Sequence, residues 1–170
     1  MSVGMVLVVT GSSSDLEVME ECTGVLKELE IGYEIHVASA HRTPDRAIDM
    51  AKNAADRGIE VIVAGAGHAA HLAGTLASHT VLPVIGVPID SSPLKGLDAL
   101  LSTVQMPAGI PVATVGIGKS GAKNAGLLAA EVLSLKHPEL VERLRSYRES
   151  LAKKVAKADD RLQEKESERE

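Results

Sequence analysis

The chain has 170 residues and a formal charge of −5, enough for one domain with a full core and too little for two ordinary ones. Phe and Trp are absent and Tyr33 and Tyr147 are the two aromatics, so a platform for stacking bases is not expected and the core falls to Val, Ile, Leu, Ala and Met. Residues 139–170 carry nine basic and nine acidic side chains, which leaves nine against fourteen for residues 1–138 and argues against a nucleic-acid partner.

In chain order, short runs rich in Val and Ile alternate with helical patterns. "MVLVVT" (5–10) predicts a first strand, and "DLEVMEECTGVLKELE" (15–30), with apolar positions three and four apart, predicts a helix. "YEIHVAS" (33–39) is the second strand, followed by a helix over "PDRAIDMAKNAADRG" (44–58) with Gly58 closing it. "EVIVAG" (60–65), "LPVIGVP" (82–88) and "PVATVGI" (111–117) complete five strands. Strands separated by crossovers pair in parallel with helices on both faces, which predicts an α/β fold: a three-layer α/β/α sandwich around a five-stranded parallel sheet.

Two later segments are helical. The Ala- and Gly-rich end of "STVQMPAGIPVATVGIGKSGAKNAGLLAAEVL" (102–133) suggests close helix packing, either between subunits or as an ordinary buried helix. A C-terminal helix keeps apolar spacing through Leu140, Val141, Leu144, Tyr147, Leu151 and Val155, so its first part should pack on something. One domain is therefore expected over 1–156, with 157–170 a charged tail, frayed or disordered. No run is long and apolar enough to span a membrane, the start lacks the marks of a signal peptide, and Cys22 is alone. A soluble, unprocessed, cytoplasmic protein with no membrane partner is the expectation.

Open parallel sheets bind ligands beyond the carboxyl ends of their strands. There the chain places "GSSSD", "SAHRTP", "GAGHAAHLAG" and "IDSSPLKG". In "GSSSD", Gly11, Ser12, Ser14 and Asp15 open a helix and could cradle a phosphate or sugar; simple capping by one serine is the alternative. In "SAHRTP", Arg42 is a permanent planar cation suited to phosphate and His41 a proton carrier near neutral pH, with Ser39 placed to orient it; a surface pair beside a helix cap is the alternative. In "GAGHAAHLAG", His68 and His71 are three apart and could share a helix face, but without a carboxylate or cysteine in the motif they make a weak metal site, and ligand contact or helix packing is favoured. Reaction type does not follow from these residues.

Taken together, "GSSSD", "SAHRTP", "AGAGHAAHLAG", "LPVIGVPI", "GLDALLSTVQMPAGIPVATVGIG" and "KNAGLLAAEVL" resemble the class I PurE family of purine biosynthesis, in order and spacing, over about residues 5–150. The resemblance implies a flavodoxin-like sheet, a homo-octamer with sites between subunits, and a 5-(carboxyamino)imidazole ribonucleotide mutase that needs no metal or other cofactor. It implies His41 as the catalytic acid and base. Substrate binding would fall to Gly11, Ser12, Ser14 and Asp15, to Ser39, Ala40 and Arg42, and to Ala66, Gly67, His71 and Leu72, with Arg42 on the phosphate. The family commonly carries glycine where this chain has His68, a candidate modulator, and proline where it has Ala73. Direct carboxylation of aminoimidazole ribonucleotide by free carbon dioxide is the alternative activity; "SNALSG" and "HK", which mark the carboxylases, are absent. A noncatalytic nucleotide-binding module is the rival from another class.

Overall fold

The structure, a computed structural model, describes residues 3–167. Strands β1 (Val3–Thr10), β2 (Ile31–Val37), β3 (Val61–Gly67), β4 (Val84–Ile89) and β5 (Ala113–Thr114) form one sheet. All pairings are parallel and the order is β2-β1-β3-β4-β5. Helices α1 (Leu16–Glu28), α2 (Pro44–Lys52), α3 (Leu72–Ala77) and α4 (Leu97–Val104) connect the strands, and α5 (Gly118–Ser134) and α6 (Glu139–Ser167) follow.

The strand residues divide by the two-residue period of extended chain. Val6 and Val8 of β1 face one core with Met19, Leu26, Ala125 and Leu133 from α1 and α5, whereas Leu7 and Val9 face the other with Ala47, Ala51 and Leu76 from α2 and α3. All four β1 side chains are fully buried. A sheet covered on both faces needs this near-continuous apolar sequence, so the expected three-layer, flavodoxin-like architecture is what forms.

The small residues of α5 serve packing within the chain. Ala122, Ala125 and Ala129 are fully buried in the core shared with α1. At the start of α5, a β-carbon on Gly121 would lie 1.6 Å from the Gly116 carbonyl oxygen, where only hydrogen fits. Gly121→Ala is expected to cost about 2–3 kcal/mol through forced backbone displacement. Chemical denaturation measures this, and an unchanged midpoint would mean that the 116–118 turn yields freely.

Three elements differ from expectation. Strand β5 has two residues rather than seven: Pro111 has no N–H to give the ladder, and beyond Thr114 one more bond forms, from the Val115 amide to Gly86 at 3.1 Å. Helix α2 stops at Lys52: the Asn53 amide still bonds the Asp49 carbonyl at 3.1 Å, but the Ala54 amide turns to the Ala51 carbonyl at 3.4 Å, and a 3-10 turn (55–57) leads to Gly58 at φ 80°. Helix α6 runs unbroken to Ser167. Its buried side chains are Leu140, Leu144 and Tyr147, while Leu151 and Val155 stay 41 and 71 % exposed. The tail residues 168–170 lie outside the described residues. No described helix is long and apolar enough to cross a membrane.

Candidate active site

Strand order reverses between β1 and β3, and the crevice this leaves at their carboxyl ends opens into a cavity of about 520 Å³. The structure brings Gly11, Ser12, Ser14 and Asp15 after β1, Ser39, Ala40, His41 and Arg42 after β2, and Ala66, Gly67, His68, His71 and Leu72 after β3 to its lining. Ala69 and Ser91 complete it. Ser91 carries a clue in the sequence, since "IDSSPLKG" follows the fourth strand, but nothing in that run singles out one serine.

After β1 the chain enters a 3-10 turn, Ser13–Asp15. Ser12 caps it, with its hydroxyl 3.4 Å from the Ser14 amide that donates to it, and the Ser14 hydroxyl donates to Ser12 Oγ at 2.9 Å. Capping therefore accounts for Ser12 but not for Asp15. Asp15 occupies the cap position of α1, where a carboxylate ordinarily bonds free helix amides, yet makes no such bond. It is instead 4 % exposed on the cavity wall. Burial pushes its carboxyl above the usual carboxylate range, opposed by the Ser14 hydroxyl and by the charges of His68 and Arg42.

A buried carboxylate with a raised pKa costs stability: below its unfolded value both states are protonated and the cost is absent, it grows as pH rises from the unfolded value to the folded one, and it is fully present above the folded value. Asp15→Asn is expected to raise the thermal midpoint at about pH 7 and leave it unchanged at about pH 3. Scanning calorimetry at both pH values tests this; an equal gain at both would mean that the cost is steric.

The turn after β2 is organised by Ser39. Its hydroxyl accepts from the amides of His41 and Arg42 at 3.3 and 3.2 Å, and its carbonyl accepts from Thr43 at 2.9 Å. Ser39 thus orients His41 through the backbone rather than through the ring. α2 then starts at Pro44, where a missing N–H costs nothing. The turn points the two ionisable side chains to different places. Arg42 Nη2 donates to the Gly11 carbonyl at 3.0 Å, beside the serines, while His41 Nε2 lies 2.7 Å from His71 Nδ1 with the rings edge to face. At that distance one nitrogen carries the proton and the other accepts it.

His68 and His71 do not share a helix face. Both precede α3, and they turn apart: His71 meets His41, and His68 Nδ1 lies 3.4 Å from Ser91 Oγ. No group of three or more His, Cys, Asp or Glu among the described residues is placed to hold a metal ion. Ala73 is the second residue of α3, in the first turn, where proline and alanine are both accommodated.

Fold and cavity together define a flavodoxin-like α/β protein with a polar, imidazole-rich site at its topological switch point. A family model described as AIR carboxylase matches residues 5–154. The chain is 58 % identical over 160 residues to an N5-carboxyaminoimidazole ribonucleotide mutase of Pyrococcus horikoshii, spanning 94 % of this chain and 89 % of that protein. It is 54 % identical over 157 residues to the enzyme of the same name from Thermotoga maritima, spanning 92 and 91 %. The crystal structure of Treponema denticola PurE superposes with a TM-score of 0.82 at 34 % identity, covering 94 % of this chain and 98 % of that one. The chain belongs to the AIR carboxylase family.

Proposed function

We propose that the chain is an N5-carboxyaminoimidazole ribonucleotide mutase of purine biosynthesis, an isomerase that moves a carboxylate from the exocyclic nitrogen of the ribonucleotide to a ring carbon. The observation that carries this reading is a proton-sharing imidazole pair, His41 and His71, in the same cavity as an arginine and two serines suited to a phosphate. The family description names a carboxylase, but the relatives quoted above bear the mutase name, and the mutase is the reading favoured here.

Ser12, Ser14 and Arg42 hold the phosphate and Asp15 accepts from ribose hydroxyls, which offsets its burial. Ser39 fixes the turn, and Gly11 and Ala40 line the ligand's flanks. His41 gives a proton to the carbamate nitrogen; the N–C bond breaks with its electron pair left on that nitrogen, and carbon dioxide is released. The ring carbon then attacks the carbon of carbon dioxide, a C–C bond forms, and the proton displaced from the ring carbon returns to His41. One proton leaves and one returns, so the histidine ends as it began. His71 orients the His41 ring. Ala66, Gly67 and Leu72 give carbon dioxide an apolar wall against which it neither escapes nor hydrates.

This chemistry draws on no metal or nucleotide cofactor. The reading includes a homo-octamer in the cytoplasm, with no membrane or nucleic-acid partner. Leu97, Leu101 and Val104, on one side of α4, are 52, 50 and 48 % exposed, which supports an assembly that covers them. Cys22 is free and buried, and burial pushes its thiol up to about 12, which leaves it almost no thiolate to react. The function is tested by supplying purified protein with N5-carboxyaminoimidazole ribonucleotide in bicarbonate-free buffer, and separately with aminoimidazole ribonucleotide plus bicarbonate. Turnover of the first is expected; turnover confined to the second would make the protein a direct carboxylase.

A further inference from the structure

The cavity contains a third imidazole that has no part in the proton transfers. His68 has φ 55°, the left-handed region where a β-carbon is strained and glycine is not. The imidazole is therefore kept at some expense of stability.

Two contacts fix where its ring lies. Nδ1 is 3.4 Å from Ser91 Oγ, and that hydroxyl rests on Gly67, where a β-carbon would fall 1.8 Å from it. Gly67 pairs with Ile89 at the end of β4, so the ring stands on the β4 side of the cavity, beside the wall that Ala66, Gly67 and Leu72 form. Arg42 is held on the other side, by the Gly11 carbonyl that follows β1. Because β3 lies between β1 and β4, the two anchors are about 10 Å apart, two inter-strand spacings. A mononucleotide with its phosphate at Arg42 is long enough to bring its base to the wall. Nε2 of His68 lines this end of the cavity with no protein partner among the described residues, and the ring makes no hydrogen bond to His41 or His71.

We infer that His68 holds the carboxylate of the ligand: Nε2 donates to the carboxylate on the ring carbon of the product, 4-carboxy-5-aminoimidazole ribonucleotide, while Ser91 donates to Nδ1 and so keeps the proton on Nε2. The inference rests on the mutase reading, which sets the reacting end of the ligand against that wall. The need for such a donor follows from desolvation. Ala66, Gly67 and Leu72 offer no side-chain donor, and a carboxylate placed against apolar surface loses water without gaining a partner. Carbon dioxide is neutral and needs none; the charge that His68 meets on the ring carbon appears as the C–C bond forms. His68 thereby separates a carboxylated ligand from aminoimidazole ribonucleotide, which carries a hydrogen at that carbon.

The test measures affinity by calorimetry for the product and for aminoimidazole ribonucleotide, which shares its phosphate and ribose and lacks the carboxylate, using wild type, His68→Gly and His68→Asn. Glycine relieves the positive φ, so the variant folds at least as well as wild type. His68→Gly should bind the product about tenfold more weakly and aminoimidazole ribonucleotide within about twofold of wild type. Asparagine tolerates the left-handed backbone and keeps an N–H, so it should recover part of the loss. Unchanged affinity for the product, or an equal loss for both ligands, would overturn the assignment. Failure of wild type to bind the product would instead overturn the mutase reading, and the His68 assignment with it.

Discussion

Replacing His41 by alanine is expected to lower kcat by about 10³- to 10⁴-fold, the range that loss of a positioned acid and base produces, while KM changes little. The separation follows from how the turn is built. The His41 amide, which survives the substitution, donates to Ser39 Oγ, and the Arg42 amide donates to the same oxygen. Arg42 therefore keeps its place, and the phosphate its partner. The His41 side chain is exposed on the cavity wall and its ring contact is His71, so stability should stay within about 0.5 kcal/mol of wild type. Steady-state kinetics with a thermal melt checks all three quantities. Turnover within tenfold of wild type would transfer the proton role to His71 or water.

Arg42→Ala is expected to do the reverse, raising KM about 10- to 100-fold, which corresponds to one charge-assisted hydrogen-bond pair to a phosphate. A guanidinium aimed at a group that does not react holds ground state and transition state alike, so kcat should fall far less than KM rises. Its place is set by the 3.0 Å bond from Nη2 to the Gly11 carbonyl, which leaves the rest of the fork for the ligand. Lysine should recover part of the affinity, since it keeps the charge and loses the fork. A kcat that falls with KM unchanged would put Arg42 at the reacting end.

Most of the fold was legible because the physics that makes it is local. Valine-rich strand runs and three- and four-residue apolar spacing specify strands and helices directly, and crossovers between them demand parallel pairing. What failed was local as well: Pro111 withholds a donor from the ladder, and after Asn53 the amides shift to three-residue bonds, so both end patterns that hydrophobic period alone would continue. The site was legible as a set of strand ends, and family resemblance supplied the roles. Its pairings were not. His41 and His71 are 30 residues apart and meet because β1 lies between β2 and β3, and Ser91 reaches His68 because β4 lies beside β3. The three-residue spacing of His68 and His71 suggested a shared helix face, but the left-handed backbone at His68 sends the two rings to opposite partners. A backbone conformation of that kind leaves no trace in hydrophobic period.

The central claim, that the cavity releases carbon dioxide from one atom of the ligand and returns it to another without letting it go, has one direct measurement. Wild-type protein is given N5-carboxyaminoimidazole ribonucleotide labelled with ¹³C in the carbamate, in buffer with excess unlabelled bicarbonate and added carbonic anhydrase, and the product carboxylate is read by mass spectrometry within a single turnover. Retention of nearly all the label is the predicted result. Product carrying the isotopic composition of the buffer would show that the carbon dioxide came from solution, and would contradict the account.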